Sequence, residues 1–303
     1  MGILRLSHVE VRCPDLELAT AYYCEVLGLI ETAREGDRVF LKGWDEHQHH
    51  SVILKGAATH GLEHLGFKVE HPDDLERLEK AVEQYGCEVT RHAAGTLAPG
   101  HGEAVRFVSP TGHLTELVHG MANVGNMLPL TNPPVRPMGL VGIAPPRLDH
   151  VFLTAEDVDE GSRFFREVLG FRLTEQIVGD DGRRIAVYLE RTHTPHDLAM
   201  ITGPQGGLHH FAFYVDDWNA VRDAADLLSY HGVPIEINPT RHGATRGYTT
   251  YFFDPAGNRN EIFSGGYWVD PDAEPITWTE GEMGRAIFYY DGVVNQRFFT
   301  VHT

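Results

Sequence analysis

The sequence predicts an α+β protein of two domains, each made of two copies of one module, a strand followed by a helix and further strands. Three observations predict it. The length of 303 residues accommodates two ordinary domains. The chain repeats itself at matched spacings. Within each repeat, short β-rich runs alternate with a helical spacing of apolar residues, and Gly or Pro/Gly turns punctuate the change.

The first module begins at Leu6, where LSHVEVRCPDLELATAYYCEVLGL matches LDHVFLTAEDVDEGSRFFREVLGF starting at Leu148; His8 precedes Gly28 by 20 residues and His150 precedes Gly170 by 20. The histidine lies in a predicted strand, the acidic residues mark a helix start and the glycine its stop. A second pair is GLEHLGFKVEHPDD around His64 and GLHHFAFYVDDWNA around His210, with 22 residues from each histidine to Gly86 or Gly232. A third pair, SPTGHLTELVHG and DPAGNRNEIFSG, is a turn feeding a strand that carries Glu116 or Glu261. Four modules follow. The stretch between Gly120 and Arg147 is rich in Pro and Gly and poor in periodicity. The expected organisation is an N-terminal domain over 1–122 that is not catalytic, a linker over 123–146, a catalytic domain over 147–270 and an aromatic tail over 271–303 packing on it.

Composition excludes several classes of function. With 25 Lys plus Arg against 43 Asp plus Glu the formal charge is −18, which repels phosphate backbones and anionic lipid. No apolar run reaches the ~18 residues of a membrane span, and MGILRLSHVE is not a secretion signal. Cys13, Cys24 and Cys87 show no C-x-x-C spacing, so neither a disulfide framework nor a thiolate zinc site is indicated, and a reducing cytoplasm is the expected compartment. Most of the 19 histidines are expected at the surface, including the run from Glu46 to His50.

Strand alternation puts Leu148, His150, Phe152 and Thr154 on one face and sets His209 and His210 on opposite faces. The repeat selects His210, because His8, His64 and His150 are its equivalents. Glu261, between Asn260 and Ile262, is a carboxylate on a face that should be apolar, and a buried carboxylate needs a partner. Two imidazoles and one carboxylate form a facial triad with open adjacent sites, a donor set suited to non-haem Fe(II), with Mn(II) the alternative and zinc less suited.

RLDH ending at His150, HDLAMI from His196, GGLHHFAF, PTRHG from Pro239, TYFFDPAGNRNEIFSGG from Thr250 and GRAIFYYDGVVNQRFFTV carry a resemblance over nearly the whole chain. The sequence resembles the two-domain extradiol dioxygenases of the vicinal oxygen chelate superfamily, of the catechol 2,3-dioxygenase type. The resemblance implies βαβββ modules paired into two cups of curled sheet, Fe(II) in the C-terminal cup, and a homotetramer. It implies catalytic roles for His196 in the HD motif, His242 in RHG and Tyr251 before FFDP. The implied reaction opens catechol or a substituted catechol with O2 beside the diol, giving a 2-hydroxymuconic semialdehyde in aromatic degradation. Ile287 and Phe288 of the tail would set pocket width.

Two features depart from that pattern. The N-terminal half keeps His8, His64 and Glu116, and His50 lies 14 residues before His64 as His196 lies 14 before His210. The equivalents of Tyr251 and His242 are Arg106 and Leu97, and a guanidinium beside a metal opposes cation binding. The expectation is a vestigial cup filled by side-chain hydrogen bonds. Arg246, four residues after His242, is either an anchor for an anionic substituent or a solvent-exposed loop charge. The alternative functions are a metal-dependent isomerase or lyase of the glyoxalase kind, whose ligands would be spread across paired modules, and a non-catalytic small-molecule-binding protein, which needs no triad.

Overall fold

The computed structural model describes residues 2–293 and 295–303. Helix boundaries follow local chemistry. Asp15, Asp157 and Asp217 cap α1 (Leu16–Ala21), α3 (Val158–Glu167) and α4 (Trp218–Tyr230), each carboxylate accepting a backbone N–H from the first turn. α2 (Pro72–Tyr85) opens on a proline with Asp73 and Asp74 in its first turn, and it ends at Gly86 in a left-handed conformation, φ +106°. α1 continues through a π turn to Val26.

The N-terminal sheet has eight strands: β1 (Ile3–Cys13), β2 (Ile30–Glu35), β3 (Arg38–Lys42), β4 (Val52–Gly56), β5 (Gly61–Val69), β6 (Val89–His92), β7 (His101–Val108) and β8 (Leu114–Met121), in spatial order β2-β3-β4-β1-β5-β8-β7-β6. The C-terminal sheet repeats that order with β9 (Arg147–Ala155), β10 (Arg172–Val178), β11 (Arg184–Glu190), β12 (Leu198–Thr202), β13 (Gly207–Tyr214), β14 (Ile235–Arg241), β15 (Gly247–Phe253) and β16 (Arg259–Gly265), and a ninth strand, β17 (Ile276–Thr279), joins its β10 edge. In each module the first strand runs parallel to the last: β1 beside β4, β5 beside β8, β9 beside β12 and β13 beside β16. That is the βαβββ pattern four times over. Antiparallel β1/β5 and β9/β13 join the modules, and both ladders contain register shifts that bend the sheet.

The halves share one apolar core. Phe67 from β5 meets Phe165 and Phe171 of the other half with ring centroids 6.2 and 5.1 Å apart. The junction is pseudo-symmetric in its hydrogen bonds as well. Asn258 Oδ1 accepts the Gly61 N–H at 2.8 Å, and the equivalent His113 donates from Nε2 to the Gly207 carbonyl at 3.0 Å. The 123–146 stretch returns along the first half, where Ile143 and Ala144 donate to the Val26 and Leu27 carbonyls. The tail ends as a short antiparallel pairing in which Thr303 and Leu208 exchange N–H···O bonds of 2.6 and 2.9 Å.

One expectation is overturned. Ten of the 19 histidines are buried, and so are Glu46, Gln48, His49 and His50, expected at the surface. The reason is a local polar frame: Gln48 donates to the carbonyls of Ser7 and His50, and Glu46 accepts from the Gly43 N–H and the Ser51 hydroxyl. Among the described residues no helix is long and apolar enough to cross a membrane.

Candidate metal centre

Three adjacent strands of the C-terminal sheet bring His150 (β9), His210 (β13) and Glu261 (β16) together, all buried, with their ligand atoms within 4.8 Å of one another. Glu261 Oε2 lies 3.0 Å from His150 Nε2 and 3.0 Å from His210 Nε2. Metal–ligand bonds of about 2.1 Å meeting at right angles set neighbouring donors about 3.0 Å apart. Both Glu261–imidazole separations therefore match two edges of one face of an octahedron.

Hydrogen bonds on the far side of each ring decide which nitrogen faces the centre. His150 donates from Nδ1 to Asp149 Oδ2 at 2.8 Å, and Arg147 holds the other Asp149 oxygen. His210 Nδ1 lies 2.7 Å from His209 Nδ1, while His209 Nε2 lies 2.7 Å from the Phe298 carbonyl. A carbonyl only accepts, so His209 donates there, accepts from His210, and leaves the His210 Nε2 lone pair facing inward. Consistently, His210 Nε2 has no hydrogen-bond partner among the described residues despite its 3.0 Å approach to Glu261. The Thr249 hydroxyl donates to Glu261 Oε1, which turns Oε2 toward the rings.

The charge states fit a cation. Burial pushes His210 down to about 4, so its ring is neutral. Burial opposes a charge on His150 too, but the Asp149 and Glu261 carboxylates outweigh it and raise His150 to about 9. Glu261 is held well below the usual carboxylate range, its burial outweighed by the hydrogen bond from His150 and by the imidazoles gathered around it. With nothing else at the centre, a proton must separate the His150 nitrogen from the Glu261 oxygen; a divalent cation substitutes for that proton.

The centre opens on a cavity of about 410 Å³ whose walls are Phe152, Ile201, Ala244, Ile287, Phe298 and Phe299. No Lys, Arg or Asp is among the described residues lining it. His196, just before β12, lies beside His150 with ring centroids 4.0 Å apart; burial, then the His150 charge, holds it neutral, and its Nδ1 is unpartnered among the described residues. Tyr251 on β15 stands directly opposite Glu261 on the antiparallel β16, so the turn at 254–258 between the two strands brings both side chains to one face, as the ten-residue spacing requires. The Tyr251 hydroxyl is 2.9 Å from His242 Nε2, and His242 donates from Nδ1 to the Ile287 carbonyl. Phe288 is buried beside His242 and Phe298 but is not among the lining residues.

Three placements differ from simple strand logic. His209 and His210 do not point to opposite faces: a register shift between Leu208 and His210 breaks the alternation, and both line the cavity. Asp149 and His209, which set the tautomers, were visible only as neighbours of the ligand candidates. Arg246 lies outside the cavity, exposed at φ +59°, with its guanidinium 4.5 Å from the Tyr267 ring centroid.

Residues 147–262 match the Glyoxalase/Bleomycin resistance protein/Dioxygenase superfamily, and residues 62–120 match the Catechol 2,3-dioxygenase-like N-terminal domain. The chain is 44% identical to a metapyrocatechase of Pseudomonas sp. (strain CF600), over 100% of this chain and 99% of that one. It is 33% identical to a manganese-dependent 2,3-dihydroxybiphenyl 1,2-dioxygenase of Geobacillus genomosp. 3, over 95% and 94% of the two chains. A crystal structure of a 2,3-dioxygenase from Pseudomonas sp. KL28 superposes with a TM-score of 0.89 at 42% identity, covering 92% of this chain and 98% of that one.

Proposed function

The chain belongs to the metapyrocatechase family of extradiol dioxygenases, and on that premise we propose that it opens the ring of catechol or an apolar-substituted catechol with O2, using Fe(II) held by His150, His210 and Glu261. The product would be a 2-hydroxymuconic semialdehyde. The observation that carries the reading is the convergence of two inward-facing imidazole nitrogens on one carboxylate oxygen, at 3.0 Å each, at the floor of an apolar cavity.

When bound there, a ferrous ion supplies Lewis acidity toward a diol and one-electron exchange with dioxygen. Mn(II) has the same donor preference, and one relative is manganese-dependent by name. Every other task falls to the chain. Tyr251 and His242 form a proton relay. His242 spends Nδ1–H on the Ile287 carbonyl, so Nε2 accepts from the Tyr251 hydroxyl and the phenol oxygen is free to take a proton from a diol hydroxyl. Burial keeps the Tyr251 phenol well above its ordinary pKa, so the residue passes a proton on rather than resting as phenolate. His196, neutral with an unpartnered Nδ1, is the group that would hydrogen-bond the second reactant and return a proton to it. The aromatic and aliphatic walls exclude water and grip the ring.

Wall chemistry selects the substrate class. A carboxylate-bearing catechol would bury a charge in a cavity with no Lys or Arg among the described lining residues, which costs several kcal/mol. An alkyl or aryl substituent meets phenylalanine and isoleucine instead. The reaction is tested by anaerobic reconstitution with Fe(II), addition of catechol, then admission of air. A yellow ring-opened product with O2 uptake is expected; an intact catechol with one equivalent of iron bound would overturn the reading. In the family the chain is expected to work as a homotetramer in the cytoplasm; sedimentation at assay concentrations tests the assembly.

A further inference from the structure

We propose that the C-terminal tail is a working part of the metal centre: Arg259 and Glu236 are positioning residues that dock the tail, and docking selects the form of His210 able to hold a metal. This rests on His150, His210 and Glu261 being the ligands, as proposed above, and it makes tail closure and metal binding two sides of one equilibrium.

The dock is built around one buried arginine. Arg259, the first residue of β16, is only 1% exposed. A guanidinium taken out of water needs a partner for its charge and acceptors for its N–H groups. Glu236 on β14 supplies the charge in a two-pronged pair, accepting from Nε at 2.7 Å and from Nη2 at 3.1 Å. The other bonds reach across to the tail. Nη1 donates to the Val301 carbonyl at 2.8 Å and to the His209 carbonyl at 3.2 Å, so a single nitrogen ties the tail to the strand that carries His210. The guanidinium also lies 5.1 Å from the Phe298 ring centroid. Arg297 of the tail adds a second ion pair, its Nε 3.5 Å from Glu236 Oε1.

Docking reaches the metal centre through a tautomer. His209 Nε2 donates to the Phe298 carbonyl at 2.7 Å, which leaves His209 Nδ1 to accept from His210 Nδ1 at 2.7 Å. Burial keeps both rings neutral, so each has one N–H to place. With the tail lifted, His209 loses that acceptor and its proton is free to sit on Nδ1. It would then donate to His210 Nδ1, and the His210 proton would stand on Nε2, the atom that faces Glu261. A protonated Nε2 has no lone pair for a metal. The docked tail therefore favours the ligand form, and by linkage a metal at the centre favours the docked tail by the same factor.

The path is confined to the half that has a tail. At the positions equivalent to Arg259, Glu236 and His209 the N-terminal half has Leu114, Thr90 and Glu63, which form neither the clamp nor the relay. Phe298 and Phe299 also wall the cavity, so the segment that encloses a reactant is the one that readies the ligand.

The test pairs chelator competition for Mn(II) with limited trypsin digestion, both on the full chain without substrate. Arg297 is exposed, and cleavage after it, followed by mass spectrometry, reports undocking. Wild type saturated with Mn(II) should be cut there about tenfold more slowly than metal-free protein. Arg259→Met should bind Mn(II) about tenfold more weakly, and so should Phe298→Ala, which loosens the tail without stranding the buried Glu236 charge. In a His209→Phe background neither substitution should weaken Mn(II) binding further, and the cut should be insensitive to metal; a purely structural clamp does not produce that non-additivity. Equal cutting of wild type with and without Mn(II), or unchanged affinity in Phe298→Ala, would overturn the coupling. So would losses that persist undiminished in the His209→Phe background. Glu261→Gln that binds Mn(II) as tightly as wild type would instead remove the metal centre itself, whatever the tail does.

Discussion

The two cups have the same strand order, the same module spacing and the same His, His, Glu positions, yet differ in what surrounds them, and the second opens on a cavity of about 410 Å³. In the C-terminal cup the residues beyond the triad are Tyr251, His242 and Phe299, which leave a cavity. In the N-terminal cup the corresponding volume contains Arg106, His101 and His50, with the His8 and His50 rings 5.3 Å apart and His50 stacked on His101. The lesson is that a His, His, Glu group can recur in both halves while what lines the next layer decides whether a reactant can reach it. Backbone duplication fixed the former in both halves; side-chain size separated the latter.

The largest expected effect tests that asymmetry directly. Glu261→Gln should reduce ring cleavage by more than about a thousandfold, because the centre loses both its charge and a donor, whereas Glu116→Gln should leave kcat within about threefold. Equal losses measured by O2 uptake would erase the distinction between the cups. Next, Tyr251→Phe should lower kcat by about a hundredfold with bound iron unchanged, the range of a lost proton-transfer group; loss of iron instead would make Tyr251 a structural residue. Asp149→Asn should weaken metal binding about 10- to 100-fold by releasing the His150 tautomer, read by chelator competition.

The junction supplies a smaller test, because its two equivalent hydrogen bonds use Asn258 on one side and a titratable His113 on the other. Burial lowers His113 to about 4 from an ordinary 6.5. Its folded pKa is below the unfolded one, so the unfolded chain takes up the proton first, and this contribution is intact above pH 6.5 and lost as pH falls toward 4. The shift is worth about 3 kcal/mol. His113→Asn, copying the other side, should cost about 1 kcal/mol at pH 8 and flatten that part of the stability profile in denaturant titrations. An unchanged slope would relocate the effect to the other buried histidines. The smallest effect is expected for Arg246→Ala: its guanidinium stacks on Tyr267 outside the cavity, so the ratio of kcat/KM for catechol and a carboxylate-bearing catechol should not move.

Much of this was readable from the chain alone. Equal offsets between His8 and Gly28 and between His150 and Gly170 gave the modules, and the repeat singled out His150, His210 and Glu261, because duplication and strand period constrain which residues can face inward. What required tertiary structure were the features that depend on atoms from distant segments meeting. The shift before His210 put His209 inside the cup, where strict alternation would have excluded it. The Phe298 carbonyl, 89 residues away, sets the His210 tautomer through His209. The buried run from Glu46 to His50 and the entry of His101 into the N-terminal cluster follow from the same cause. Periodicity states which side of a strand a residue occupies; bulges, hydrogen-bond direction and burial arise only when strands curl and a remote tail docks, and these decide what each imidazole can bind.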